Sequence, residues 1–220
     1  MYILDDIEVY IFNWKRVTVN SLDLYSKISP IIKNTCIINC DESYNFAKTI
    51  KTIQLDDSHY YGSQYEHAIK NVRPGSILCV IVGDNITNNN FENIFDNAIE
   101  TFNTINVGVY SPNDKRSIYK QRLENIKDDI YNIENTDCGF WFISPVVVAR
   151  LRNISYSISK YGWGIDIITI KESRKLNLLV LRDYSVETDQ IDHSCGYPHR
   201  HASKGMKLLM KEYENQINGS

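Results

Sequence analysis

The chain has 220 residues, 43% apolar and 11% aromatic, enough to bury one sizeable core, and one globular domain over residues 1–218 is expected. Its formal net charge of −3 is spread over both signs with no long basic run, so nucleic acid is not an expected partner. No stretch reaches membrane-spanning length, Asp5, Asp6 and Glu8 break up the N-terminus where a secretory signal needs basic and apolar residues, and the five cysteines form no CxxC pair. These features predict a protein of the reducing cytoplasm without an integral membrane segment, peripheral contact with a membrane being left open. Gly219 and Ser220 read as an expression remnant.

In chain order, residues 7–12 are too continuously apolar for a half-exposed strand and predict one buried on both faces, as in a parallel sheet. A helix with Leu24 and Ile28 inward follows and stops near Pro30, and a second strand over 35–39 leads to Asp41. Tyr65, Ala68, Ile69 and Val72 recur with helical period, which predicts a helix over 62–72 closed by the Pro74-Gly75 turn. The wholly apolar run 77–82 predicts another buried strand, halted at Gly83-Asp84-Asn85. Phe91, Ile94, Phe95, Ala98 and Phe102 predict a helix, and 107–110 a strand.

This alternation predicts an α/β fold with a mostly parallel central sheet flanked by helices, in which ligands bind beyond the carboxyl ends of the strands. Asn13, Asp41 and Asp84 then share one rim. Further on, 138–143 reads as a strand, Ser144 as a cap and Pro145 as the first residue of a helix. A strand over 178–181 is expected between two long loops, 161–166 and 183–201, before an amphipathic end helix bearing Met206, Leu209, Met210, Tyr213 and Ile217.

Asp84 ends a buried strand beside Gly83, an arrangement suited to a hard divalent cation on a diphosphate, although Gly-Asp-Asn is also an ordinary turn. Asp166 stands at a helix start after Gly162 and Gly164, placed for a catalytic base or, equally, for a cap. Trp163 between those glycines suits stacking against a sugar. His193, Cys195, His199 and His201 are spaced too tightly for a usual closed zinc site, and His193 joining Asp84 on a catalytic cation is the preferred reading. Asp41 suits a base or ribose contact as well as a capping role, and Asn13, Trp14, Lys15 and Arg16 suit a nucleotide as well as a solvated turn.

In their order along the chain, Tyr10 to Arg16, Leu55 to Ser58, Tyr61 to Tyr65, Gly83-Asp84-Asn85, Gly108 to Pro112, Tyr161 to Asp166 and Arg182-Asp183-Tyr184 resemble the nucleotide-diphosphosugar glycosyltransferases of the GT-A (Rossmann-like) fold. The likeness is to the short domains of bacterial polysaccharide loci and large DNA viruses, and it spans nearly the whole chain. The resemblance implies Phe12, Asn13, Arg16, Asp41, Tyr61, Gln64, Gly83, Trp163 and Gly164 around a donor, a UDP-sugar being the family-weighted choice. It further implies Asp84 and His193 on Mn²⁺ or Mg²⁺, Asp166 as the catalytic carboxylate, and a carbohydrate acceptor. The first Asp of the family's Asp-x-Asp motif is Val82 here.

An inverting displacement needs only one base and one metal carboxylate, and no nucleophile for a covalent route is evident. A sugar-phosphate nucleotidyltransferase is the rival enzyme, but residues 12–19 lack the glycine-rich phosphate loop it needs. A non-catalytic carbohydrate-binding relative is the other rival, and a dinucleotide oxidoreductase lacks its GxGxxG.

Overall fold

A computed structural model describes residues 1–191 and 198–218. Its framework is one sheet. Strands β1 (Ile7–Asn13), β2 (Thr35–Asn39), β3 (Thr52–Gln54) and β4 (Ile77–Val82) pair in parallel in the order β3-β2-β1-β4. Beyond β4 the order continues through β9 (Phe140–Ile143), β6 (Val107–Asp114), β10 (Leu179–Gln190), β8 (Ile130–Ile133) and β7 (Arg122–Lys127). β6 and β10 run with the first group, whereas β9 and β8 run against it, and the short β5 (Asn85–Ile86) pairs antiparallel with the end of β10.

Alternate residues of the central strands feed two separate cores, as the two-residue period of a strand requires. Ile7, Val9, Ile11, Ile77, Cys79 and Ile81 face α1 (Thr18–Ile28) and α3 (Phe91–Thr104). Tyr10, Phe12, Leu78, Val80 and Val82 face α2 (Tyr61–Asn71), α4 (Pro145–Leu151), α5 (Ile165–Lys175) and α6 (His199–Asn218). Burial on both faces is why β1 and β4 read as unbroken apolar runs.

Two expectations need correction, and one hairpin has no counterpart in the sequence reading. The loop expected over 183–201 is strand as far as Gln190, because Asp183, Glu187 and Thr188 pair with Pro112, Asn113 and Asp114 of β6, and Asp189 and Gln190 pair with β5. Backbone pairing on both sides holds a segment whose side chains look loop-like. The hairpin β7–β8 was not foreseen: its strands are mostly exposed or half-buried and lack an apolar run, and its turn uses Asp128 at a φ of 47°. Ser144 occupies the cap position of α4 with an extended backbone but makes no capping hydrogen bond.

Candidate functional site

The carboxyl ends of β1, β2 and β4 form one rim, and a buried polar network binds them together. Asn13 Nδ2 donates to Asn39 Oδ1 at 2.6 Å and to Thr18 Oγ1 at 3.2 Å, and Thr18 Oγ1 donates to Asp41 Oδ2 at 3.1 Å. Gln64 Nε2 donates to the carbonyls of Asn13 and Ile38 at 2.9 and 2.8 Å. Burial raises the Asp41 carboxyl, but hydrogen bonds from Ser43 and Thr18 outweigh it and hold its pKa below the ordinary value.

This geometry revises part of the expected donor set. Phe12, Asn13 and Gln64 are at most 1% exposed, so they shape the rim from beneath rather than present atoms at its surface. Asp41 is 3% exposed and already accepts from Thr18 and Ser43. Tyr61 is buried too, and its hydroxyl donates to the Cys138 carbonyl at 2.5 Å. Arg16 is exposed on the β1–α1 turn. A Cβ on Gly83 would lie 2.2 Å from Ser21 Oγ and 2.8 Å from the Phe12 carbonyl oxygen, so close packing against α1 and the end of β1 accounts for this glycine.

Asp84 follows β4 on a firmly held turn and is 6% exposed. Asn20 Nδ2 donates to the carbonyls of Gly83 and Asn85, Asn85 Nδ2 donates to Asp84 Oδ1 at 3.3 Å, and the Ile191 N–H donates to the Asp84 carbonyl at 2.8 Å. His193 and Cys195 lie outside the described residues. Among the described residues no group of three or more His, Cys, Asp or Glu side chains could hold a metal ion.

Asp166 lies in the first turn of α5 and is half-buried. Gly162 and Gly164 take φ values of 81° and 91°, a region open chiefly to glycine, and turn the chain into the helix. The missing side chain of Gly164 makes room for α6, since a Cβ there would lie 3.0 Å from Met206 Cγ. Close packing therefore explains this glycine, where backbone approach to a ligand had been expected. Trp163 sets its ring edge-on to His199 at 5.6 Å. Trp14, Tyr60 and Tyr161 form a second aromatic row, with centroid separations of 5.5 and 5.6 Å.

Residues 137–139 connect the two acidic positions. The Gly139 carbonyl accepts from the Val82 N–H at 2.7 Å and from Asn85 Nδ2 at 3.2 Å, on the Asp84 side. On the other side, burial and the charges of Asp166 and Asp137 push the Cys138 thiol well up. Tyr61, whose hydroxyl reaches the Cys138 carbonyl, also packs its ring against Gly162 at the turn into α5, so Asp84 and the turn leading to Asp166 border the same short segment at one end of the sheet.

Three residues without an assigned role in the sequence complete this end. Tyr119 donates its hydroxyl to Asp166 Oδ2 at 3.5 Å, and burial with the Asp166 charge pushes it up to about 12. Asp137 adds a second negative charge: burial first, and this charge next among the raising effects, lift Asp166 above the ordinary aspartate value. Arg182, 1% exposed on β10, donates to the Tyr119 carbonyl, to Thr136 Oγ1 at 3.1 Å and to Ser117 Oγ at 3.3 Å, with Asp137 at 3.8 Å. A lone arginine following the apolar run 178–181 was the available signal; Tyr119 offered none.

A surface cavity of about 500 Å³ is elsewhere, lined by Asn132, Arg174, Asn177 and Leu179 near the amino end of β10. Among the described residues no helix is long and apolar enough to cross a membrane.

No protein-family model and no curated protein matches this chain. Solved structures do resemble it. GalNAc-T7, solved with UDP, GalNAc and Mn²⁺, superposes with a TM-score of 0.69 and 9% identity over 94% of this chain and 48% of its own. A UDP-glucose pyrophosphorylase complexed with UDP-glucose gives 0.52 and 9% over 93% and 99%. A Bacillus anthracis protein provisionally assigned as a glucose-1-phosphate thymidylyltransferase, solved with a sucrose, gives 0.51 and 12% over 92% and 95%. At such identities the likeness is one of fold, and fold alone does not fix activity. The chain has a GT-A-like α/β fold with a mostly parallel central sheet.

Proposed function

We propose that the protein is an inverting glycosyltransferase that moves a sugar from a nucleotide diphosphate, by preference UDP, onto a carbohydrate hydroxyl. The observation that carries this reading is the placement of Asp84 and Asp166 on either side of residues 137–139 at the carboxyl end of the sheet. Crevices at that end are where open α/β sheets bind ligands.

Asp166 accepts the proton of the incoming hydroxyl as that oxygen bonds the anomeric carbon and the bond to the diphosphate breaks. Its raised pKa brings the carboxylate closer to the basicity such a transfer needs. Asp84 would hold Mn²⁺ or Mg²⁺. Such ions keep several waters and bridge substrate phosphates through one or two protein carboxylates, so a single rim aspartate is a sufficient anchor among the described residues. His193, two residues after the Ile191 that bonds the Asp84 backbone, is the proposed second ligand. The bound cation would offset charge on the departing diphosphate.

The better superposition on GalNAc-T7, and the absence of glycine from residues 12–19, favour this reading over a nucleotidyltransferase. Arg16 on the exposed turn and the row Trp14, Tyr60 and Tyr161 are the surface groups available to a nucleotide. The domain is proposed to act in the cytoplasm as a single unit over 1–218.

Asp166→Asn is expected to cut turnover by about 100-fold or more with folding intact; unchanged turnover removes Asp166 from the role of base. With wild-type protein, a UDP-sugar and Mn²⁺ together should raise Tm, since a ligand selective for the native state stabilises it. Asp84→Ala should erase the Mn²⁺-dependent part of that rise. Full activity in excess chelator would overturn the cation assignment.

A further inference from the structure

Helix α6 carries a charge distribution unlike that of the whole chain. The chain has a formal net charge of −3, yet residues 198–211 contain Arg200, Lys204, Lys207 and Lys211 and no acidic residue. These four recur at i, i+4, i+7 and i+11, so at about 100° per residue they fall within an arc of roughly 60°. All four are exposed. The residues that α6 buries, Ala202, Leu209 and Tyr213, lie on the opposite side of the helix. The stripe therefore faces directly outward, over a length of about 16 Å. The nearest acids on the helix, Glu212 and Glu214, stand beyond its last cation.

Like charges at these spacings destabilise an isolated helix, and no intervening carboxylate relieves them. The helix is held instead from its inner face, where Tyr213 donates to Glu172 at 2.5 Å and Leu209 is fully buried. The outer face of the helix is convex, so it suits an extended sheet of negative charge better than a small anion. An exposed apolar side chain borders it. Leu208 is 49% exposed, next to Lys204, Lys207 and Lys211 on the helix surface. Apolar groups beside a basic stripe gain from entering the boundary between headgroups and acyl chains, whereas a nucleic-acid backbone offers them nothing.

We propose that the outer face of α6 docks the protein onto an anionic phospholipid surface, with Arg200, Lys204, Lys207 and Lys211 over the headgroups and Leu208 at the acyl boundary. Basic clusters of this size on amphipathic helices are attracted to anionic bilayers, and the attraction decays within a Debye length. The contacts of His199 with Trp163 and of Met206 with Gly164 tie the amino-terminal half of α6 to the loop before Asp166.

Sedimentation with vesicles of phosphatidylcholine, with or without phosphatidylglycerol, tests this independently of any enzymatic activity. Wild-type protein is expected to bind only the vesicles containing phosphatidylglycerol, less tightly as salt rises. Lys204→Glu/Lys207→Glu/Lys211→Glu should weaken binding by about 100-fold or more, and Leu208→Asp should leave a weaker, wholly salt-labile remnant. Lys33→Glu/Lys48→Glu/Lys51→Glu makes the same change in net charge on exposed residues elsewhere and should bind as wild type. Unchanged thermal melts confirm that each variant is folded. Failure of wild type to bind anionic vesicles, equal loss in both triple variants, or binding to soluble heparin without binding to vesicles would overturn the proposal.

Discussion

Asp166 is governed by burial and by the groups around it, Asp137 before β9 and Tyr119 before β7, and its own charge raises Cys138 and Tyr61. Burial and the Asp137 charge favour the protonated acid, whereas the Tyr119 hydroxyl and backbone N–H groups favour the carboxylate. A base must be ionised to work, so the acid limb of the kcat/KM profile should lie above the ordinary aspartate range. Asp137→Asn removes a like charge and should move that limb to lower pH. Tyr119→Phe removes a donor to the carboxylate and should move it to higher pH. The two shifts have opposite signs, and profiles that both stay in place would show that another group sets the limb. The positions of Asp84 at a strand end and of Asp166 at a helix start were legible in the sequence, because each follows from local signals. The gathering of Tyr119, Asp137 and Arg182 beside Asp166 was not, because it arises from contacts across large sequence separations, such as Arg182 with Tyr119.

At the scale of elements, the turn into α5 depends on conformations that side chains rarely adopt. Gly164→Ala forces alanine to a φ of 91° and places its Cβ against Met206. It should destabilise the protein by about 1–2 kcal/mol, read as a lower midpoint of denaturant unfolding. An unchanged midpoint would mean that the loop rearranges freely. Periodicity revealed α2 and α3 well, because each buries one stripe against the sheet. It failed at the end of β10, where Asp183 accepts hydrogen bonds from Tyr110 at 2.6 Å and from Asn97 at 3.2 Å, and polar composition conceals a paired strand. It failed also at β7 and β8, whose weak burial leaves no alternating pattern to read.

At the scale of the whole molecule, α4, α5 and α6 meet at one buried carboxylate. Glu172 is 3% exposed and accepts from Arg150 at 3.1 Å, Lys175 at 2.8 Å and Tyr213 at 2.5 Å. Burial raises its pKa, but these bonds outweigh that effect and hold it below the ordinary value of 4.5. A folded-state pKa below the unfolded one contributes stability that is complete above the unfolded value and is lost as pH falls through the folded one. Glu172→Gln should therefore lower Tm at neutral pH and narrow the difference in Tm between neutral pH and about pH 3. An acid sensitivity equal to that of wild type would place the dependence on other carboxylates.

The sequence by itself determined the doubly buried strands, the helices that alternate with them and the rim on which Asp84 falls, because apolar periodicity and strand-ending residues are local properties of a chain. Only the tertiary structure decided that Asn13 and Gln64 face inward, that Gly83 and Gly164 serve close packing, and that Tyr119, Asp137 and Arg182 gather beside Asp166. Each of these outcomes depends on which distant segments share one volume, and in a sheet with crossing connections that pairing is a property of the assembled fold.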